Sequence, residues 1–546
     1  MRRLLLVVVA SLALVQSLAR ADKSSVPLGR IDFPVTGPEA ARQHFLRGML
    51  AMHSFWYDEA HDEFLASTHA APTFAMGYWG DALTYYHPVW SQENLVASRA
   101  IMAKLPANAQ LSERERGFIA AAKILFGEGD KETRWREYAE ALAKLHEKFP
   151  KDDEVTTLYS VALLGTAKRD GSFRPFAQAA ALSLEVLAHN PDHPGAAHYV
   201  IHAFDNPEHA ILALPAARRY AQIAPEAFHA LHMPSHIFVQ LGMWNDAQAS
   251  NEASWAASIA AATKKHLDSG YYDFHSLAWL MSITFERGQR KHAEEVMQRG
   301  WNALKLTTDP DRMPLMVGQM ASEYLLSTGD WARMDELLAP LSDAEKSVAS
   351  STTQANTPGC VCHVAVSARR VAAEAAAVLA FTHGEAAAAH KDLALLDKSR
   401  KELIASVAKM EKEAADDWKV SELILDSHVA ELHARPKDAV DALRKAIVLD
   451  DRLPPLGPAG AITPRERLGE LLLRQGHAAD ALKEFAHSLE TRPSRSRSLL
   501  GAARAATLVK SDSARDYYKQ LAANWSQADP DYPGLDEAVA ALKTAR

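Results

Sequence analysis

The chain has 546 residues, 23% of them charged, and a formal net charge of −8, so it carries no basic footprint for nucleic acid. β-Branched runs are scarce and apolar residues recur at helical spacing almost throughout, which points to an all-α fold. Two cysteines cannot staple a chain of this length.

At the amino end, Arg2 and Arg3 precede an apolar run, Leu4 to Leu18, and Ala19-Arg20-Ala21 supplies a small-x-small cleavage pattern. The run is shorter than the roughly 20 apolar residues of a membrane span. The expectation is a signal peptide at 1–21, cut before Asp22, with export to the periplasm or beyond. A retained anchor is the alternative. No cysteine follows the run, which argues against a lipoprotein, and no later stretch suggests stable membrane insertion. Residues 22–40 read as an N-terminal extension.

Beyond it, Gly48, Ala60, Phe64 and Pro72 show the same intervals as Gly469, Ala481, Phe485 and Pro493. Gly242 and Ala247, Gly288 and Ala293, and Gly384 and Ala389 repeat a Gly-to-Ala interval of five. Gly329 also fits, with Met334 in place of the small residue. This resembles the tetratricopeptide (TPR) pattern of helix–turn–helix repeats. Repeats then start near Ala41, Ala75, Asp153, Pro194, Phe228, Phe274, Leu315, Arg370, Val420 and Ile462. A degenerate one lies around 113–150 and a partial one after 495. The resemblance implies a right-handed α-solenoid of about a dozen repeats. It divides into an N-terminal array at 41–342 and a C-terminal array at 370–546, joined by a loop or hinge at 343–369. That polar hinge carries Cys360, Cys362 and His363, read as a disulfide or exposed thiols, with a soft-metal site as the alternative. C-x-C-H is one residue short of a haem-attachment motif. The run Ser494-Arg495-Ser496-Arg497-Ser498 reads as a solvated turn.

Histidines follow the repeat. His198 and His232 are one 34-residue period apart, and so are His202 and His236. A spacing of four sets each pair on one helix face, about 6 Å apart along the axis. The resemblance implies that these positions line the concave groove. His229 lies one turn before His232, Asp205 lies one turn beyond His202, and Pro234 is expected in a first turn or at a kink. The segment from His198-Tyr199 through His232-Met233-Pro234-Ser235-His236-Ile237-Phe238 resembles the core of a group of exported bacterial TPR proteins, which implies no activity. His53 and His87 form a second rung at the same spacing among aromatics from Phe55 to Trp90. His275 falls early in the following repeat.

Three readings of the ladder stay open: packing between helices, a Zn or Cu site, or a groove that recognises an anionic ligand once its histidines are protonated. The groove candidates are His198, His202, His229, His232, His236, Asp205, His275, His53 and His87. The metal candidates are His198, His202, His232 and His236. No phosphate-binding Gly loop, nucleophile elbow or catalytic pair of carboxylates is evident, so no catalytic residue is assigned. The leading expectation is an exported, non-enzymatic scaffold holding a protein segment or small ligand in its groove. The alternative is a metalloprotein or metalloenzyme built on the ladder.

Overall fold

The computed structural model describes residues 28–167, 172–307, 313–349, 368–410, 412–453 and 457–543. The signal peptide, Cys360, Cys362 and His363 lie outside these residues. Helices succeed one another as α1 (Glu39–His53), α2 (Tyr57–Ala70), α3 (Ala75–Leu83), α4 (Leu95–Met102), α5 (Glu113–Leu125) and α6 (Lys131–Lys148). Next come α7 (Asp153–Thr166), α8 (Arg174–His189), α9 (Pro194–Ala203), α10 (Ala210–Ile223), α11 (Phe228–His232), α12 (Pro234–Gln240) and α13 (Trp244–Lys264). They are followed by α14 (Phe274–Glu286), α15 (Arg290–Leu304), α16 (Met313–Thr328), α17 (Met334–Ala349), α18 (Ala368–Ala389), α19 (Leu393–Val407) and α20 (Lys412–Leu432). The carboxyl end comprises α21 (Pro436–Asp450), α22 (Pro464–Arg474), α23 (Ala478–Thr491), α24 (Ser496–Leu508), α25 (Ala514–Asn524) and α26 (Leu535–Lys543). The strands described are β1 (Tyr86–His87) and β2 (Gln92–Glu93), an antiparallel pair around Pro88–Trp90. Each helix packs chiefly on those before and after it, so the chain is a TPR-type α-solenoid. The starts read from spacing fall within two residues of the observed first helices, except that the helix containing Val420 begins at Lys412.

The repeat pattern has a packing cause. Gly242, Gly288, Gly329 and Gly476 end first helices in the left-handed conformation, with φ of 66°, 67°, 67° and 82°. A side chain there is strained. The ring of Phe64 fits between two glycines: a Cβ at Gly48 or Gly80 would lie 2.7 or 2.5 Å from it. Phe485 sits likewise between Gly469 and Gly501, where a Cβ would lie 2.6 or 2.3 Å from the ring. Gly501→Ala should therefore lower stability by about 1–3 kcal/mol through overpacking. The check is a urea titration, and an unchanged midpoint would refute the clamp.

Residues 28–38 are built into the N-terminal array. Phe33 packs on Phe45, Trp79 and Phe118, and the Arg30 N–H donates to the Asp192 carbonyl at 2.9 Å. The C-terminal array also returns to the middle of the chain. Trp244 Nε1–H donates to the Ser494 carbonyl at 2.9 Å, the Asp529 N–H to Gly288 at 2.9 Å, and Tyr532 Oη to Phe285 at 3.1 Å. The run Ser494–Ser498 is the centre of this contact, which corrects its reading as a solvated turn. Arg495 is buried and reaches Glu286, Glu466 and the carbonyls of Ala459 and Gly460.

Candidate metal centre

The stacked first helices α9, α11 with α12, and α14 bring histidines of like register together. Pro234 has no N–H to give Ala230 and divides the middle first helix into α11 and α12, with Met233 at φ −54°, ψ −34° between them. The rings form one continuous row. Centroids lie 5.1 Å apart for His229 and His198, 4.7 Å for His198 and His202, and 5.7 Å for His202 and His236. The row continues at 5.0 Å from His236 to His232 and 4.7 Å from His232 to His275.

The described residues do not gather the four histidines expected from spacing into one ligand group. Ligand atoms group instead as His198, His202 and His229, and as His232, His236 and His275, each set within 4.8 Å. Each triad takes two of the four ladder residues and adds a neighbour, His229 from α11 or His275 from α14. His229 and His275 are thus ligand candidates as well as groove residues.

In the first triad, His198 Nδ1–H donates to the His53 carbonyl at 2.8 Å, which leaves Nε2 with its lone pair. The Nε2 atoms of His198, His202 and His229 are all buried and have no hydrogen-bond partner in the protein. Three such orphaned atoms in one place require an explanation, since buried polar atoms are nearly always satisfied. Phe55 packs against all three rings, with centroids at 4.2, 5.7 and 5.8 Å. Its backbone is left-handed, φ 51°, an uncommon conformation for a bulky residue. The chain tolerates that strain to seat the ring here.

The second triad is oriented by side chains. His236 Nδ1–H donates to Asp205 Oδ2 at 2.6 Å, and Gln240 holds the other carboxylate oxygen at 3.0 Å. His232 Nδ1–H donates to Asn251 Oδ1 at 2.7 Å, while Asn251 Nδ2 donates to the Ala247 carbonyl at 2.8 Å. With both Nδ1 atoms protonated, the neutral rings present two bare Nε2 atoms to each other at 3.1 Å. Two lone pairs do not bond. Either one ring takes a second proton or both nitrogens share a cation. Imidazole nitrogens about 2.0–2.1 Å from one tetrahedral ion sit roughly 3.3 Å apart, close to the observed gap. Asp205 is therefore a partner of His236, the carboxylate that orients a ligand, rather than a neighbour of His202. Trp279, four residues after His275, lies against His236 and His232 at 4.4 and 4.9 Å.

Burial takes the His198 imidazole down to about 3, reinforced by His236 and His53 and opposed by its carbonyl bond. Burial first, and then the neighbouring imidazoles, hold His202, His229 and His232 well below the ordinary histidine value. At neutral pH these rings are uncharged, the state in which imidazole binds metal.

His53 and His87 do not extend the row. His53 is fully buried in a third group with Glu154 and His193, and there every ring nitrogen is satisfied. His53 meets Glu154 Oε2 at 2.9 Å and Tyr199 Oη at 2.9 Å; His193 meets the other carboxylate oxygen at 3.1 Å and accepts from the Ala196 N–H at 3.2 Å. Burial raises the Glu154 carboxyl, and the two imidazoles more than reverse this, taking it to about 2. The group is closed by its own bonds and serves the first triad by fixing the carbonyl that His198 uses. His87 stacks on Tyr57 at 3.9 Å and its Nε2 bonds the Thr84 carbonyl at 2.9 Å. Of the aromatics there, Trp56, Tyr57, Trp79 and Tyr86 are core, whereas Trp90 is exposed beside His229. Glu154, His193 and Asn251 carry no repeat signal. Trp279 has one, its helical spacing from His275.

No protein family matches this sequence, and no curated protein matches it. Among solved structures, the human IFIT1 dimer with PPP-AAAA is similar at TM-score 0.36 and 11% identity, covering 88% of this chain and 90% of that one. The APC/C hetero-tetramer Cut9–Hcn1 gives 0.36 and 12%, covering 85% and 76%. Yeast Tom70 gives 0.35 and 10%, covering 86% and 89%. These likenesses assign no ligand.

Proposed function

We propose that this chain is an exported metal-binding protein in which a TPR-type solenoid holds two adjacent three-histidine sites for Zn or Cu. The observation that carries the reading is that His198, His202 and His229 each bury an Nε2 with no hydrogen-bond partner in the protein and together offer ring nitrogens within 4.8 Å of one another. The facing Nε2 pair of His232 and His236 supports the second site. A packing role is disfavoured because packing histidines spend both nitrogens, as His53 and His193 do. A cationic groove is disfavoured because burial keeps the rings uncharged near neutral pH. Helices hold such sites well because a ligand's rotamer is fixed by the turn beneath it.

Elemental analysis of untagged protein under metal-replete conditions should give two equivalents per chain, falling to one in His202→Ala and one in His275→Ala. Metal-free wild-type protein would overturn the reading. Export is tested by the amino-terminal sequence of the mature protein, expected to begin at Asp22.

A second observation keeps a partner-binding role. A cavity of about 280 Å³ opens between α16, α18, α20 and α22, lined by Gln319, Glu323, Phe381, Trp418, Thr463 and Arg492. Burial lifts Glu323 to about 7 against the pull of Arg495. This cleft, rather than the histidine row, is the place where a peptide segment or small ligand would fit the scaffold.

A further inference from the structure

The two triads differ in the charge that surrounds them, and we infer that they select different ions: Cu(I) at His198, His202 and His229, and a divalent ion at His232, His236 and His275. The inference rests on the two-site reading above.

The first triad offers three neutral donors and no anion. Its orienting partner is a neutral backbone carbonyl, that of His53, which the His198 Nδ1–H meets at 2.8 Å. Its walls are rings, Phe55 against all three histidines and Tyr220 stacked on His198 at 5.2 Å. The free-energy cost of placing an ion in such surroundings grows with the square of its charge, about fourfold from a monovalent to a divalent ion. Three-histidine zinc sites offset that charge with a water or hydroxide in a fourth, open position. A wall of aromatic carbon is a poor neighbour for hydroxide. Among monovalent ions, alkali cations take oxygen donors, whereas Cu(I) is soft, bonds imidazole and is content with few ligands.

The second triad differs in the needed direction. The Asp205 carboxylate bonds His236 Nδ1–H, which places a negative charge one residue from the ion and makes the Nε2 lone pair more basic. Asn251 gives His232 a neutral partner. A carboxylate charge is opposite in sign to that of a divalent ion and half its size.

The test uses apo full-length protein without a histidine tag, exposed anaerobically to one equivalent each of Cu(I) and Zn(II). Wild type should take up one of each, with an X-ray absorption edge and shell for copper showing Cu(I) on three nitrogens. In His275→Ala, which leaves the first triad intact, competition should favour Cu(I) over Zn(II) by at least about tenfold. His202→Ala should lose the copper and keep the zinc. Preference for Zn(II) in His275→Ala, or the same metal in both triads of wild type, would overturn this inference and leave the two sites standing. Uptake of neither ion would sink the two-site reading itself. Because the wild-type spectrum is read directly, a misfolded variant does not remove the test.

Discussion

Lowering the pH from 8 to 5 should remove about 2 kcal/mol of folding stability from the metal-free protein through His198 alone. The ring ordinarily titrates near 6.5 and burial in the fold takes it to about 3. Its folded value is depressed, so between those limits the unfolded chain binds the proton more readily. The stability His198 contributes is complete above 6.5, and it is lost progressively as pH falls toward 3, where the loss totals about 4–5 kcal/mol. His202, His229 and His232 act in the same direction. His61, held up by Asp81 against its burial, and His292, held up by Glu252, act in the opposite one. The contribution of His198 is therefore read as a difference of differences. Urea unfolding at pH 5 and pH 8 is compared between wild type and His198→Asn, whose amide can still donate to the His53 carbonyl. The variant should lose about 2 kcal/mol less on acidification. Equal pH dependence in both proteins would mean that the ring is not buried neutral.

Replacing Arg495 with Met should destabilise the protein by about 3–5 kcal/mol. The guanidinium bonds Glu466 at 2.7 and 3.0 Å and Glu286 at 3.0 Å, all three groups being buried. Without it, Glu286 and Glu466 remain buried with the charge that bonds both removed, and Arg497, which bonds Glu470, is the cation left near Glu466. Burial already pushes the Glu286 carboxyl up, against the pull of Arg495 and Ser496. Arg495→Lys keeps a charge but cannot span both carboxylates, so its loss should be intermediate. Adding Glu286→Gln to Arg495→Met should recover part of the loss. A denaturation midpoint within about 1 kcal/mol of wild type would refute the latch. The latch also bears on the site. Gly457, in the segment leading to α22, sits so close to Trp279 that a Cβ would lie 2.6 Å from the indole, and that indole covers His232 and His236. Loosening the contact should speed metal release from the second triad and leave the first unchanged.

How much of this was legible depended on whether an interaction repeats. The all-α class, the repeat starts and the turn glycines follow from periodicity, because repeats bury a small residue under an apolar side chain, as Gly48 lies under Phe64, Gly469 under Phe485 and Gly318 under Leu341. The histidines shared that period and so were visible as a ladder. Which of them meet was not visible, because spacing along one helix says nothing of the sideways approach of the next. Spacing alone predicts a row that lines a groove and supplies one set of four. The packed helices gather it into two triads, and of the two it is the one at His232, His236 and His275 that has a carboxylate bonded to a ring.

Residues that repeat nowhere were hidden for the same reason. Asn251, on the second helix of the His232 repeat, and Glu154, 44 residues before His198, share no register with the histidines. Arg495 looked like a surface charge because its run is polar, and it is buried because α24 folds back on α14. The sequence by itself determined the repeating helix pair and the chemistry placed on its first helix, since both depend on contacts within one period. The tertiary structure decided the grouping of ligands, their burial and the return of the carboxyl end, since the first two depend on how neighbouring helices approach and the last on residues about six to seven periods apart, none of which the spacing within a repeat fixes.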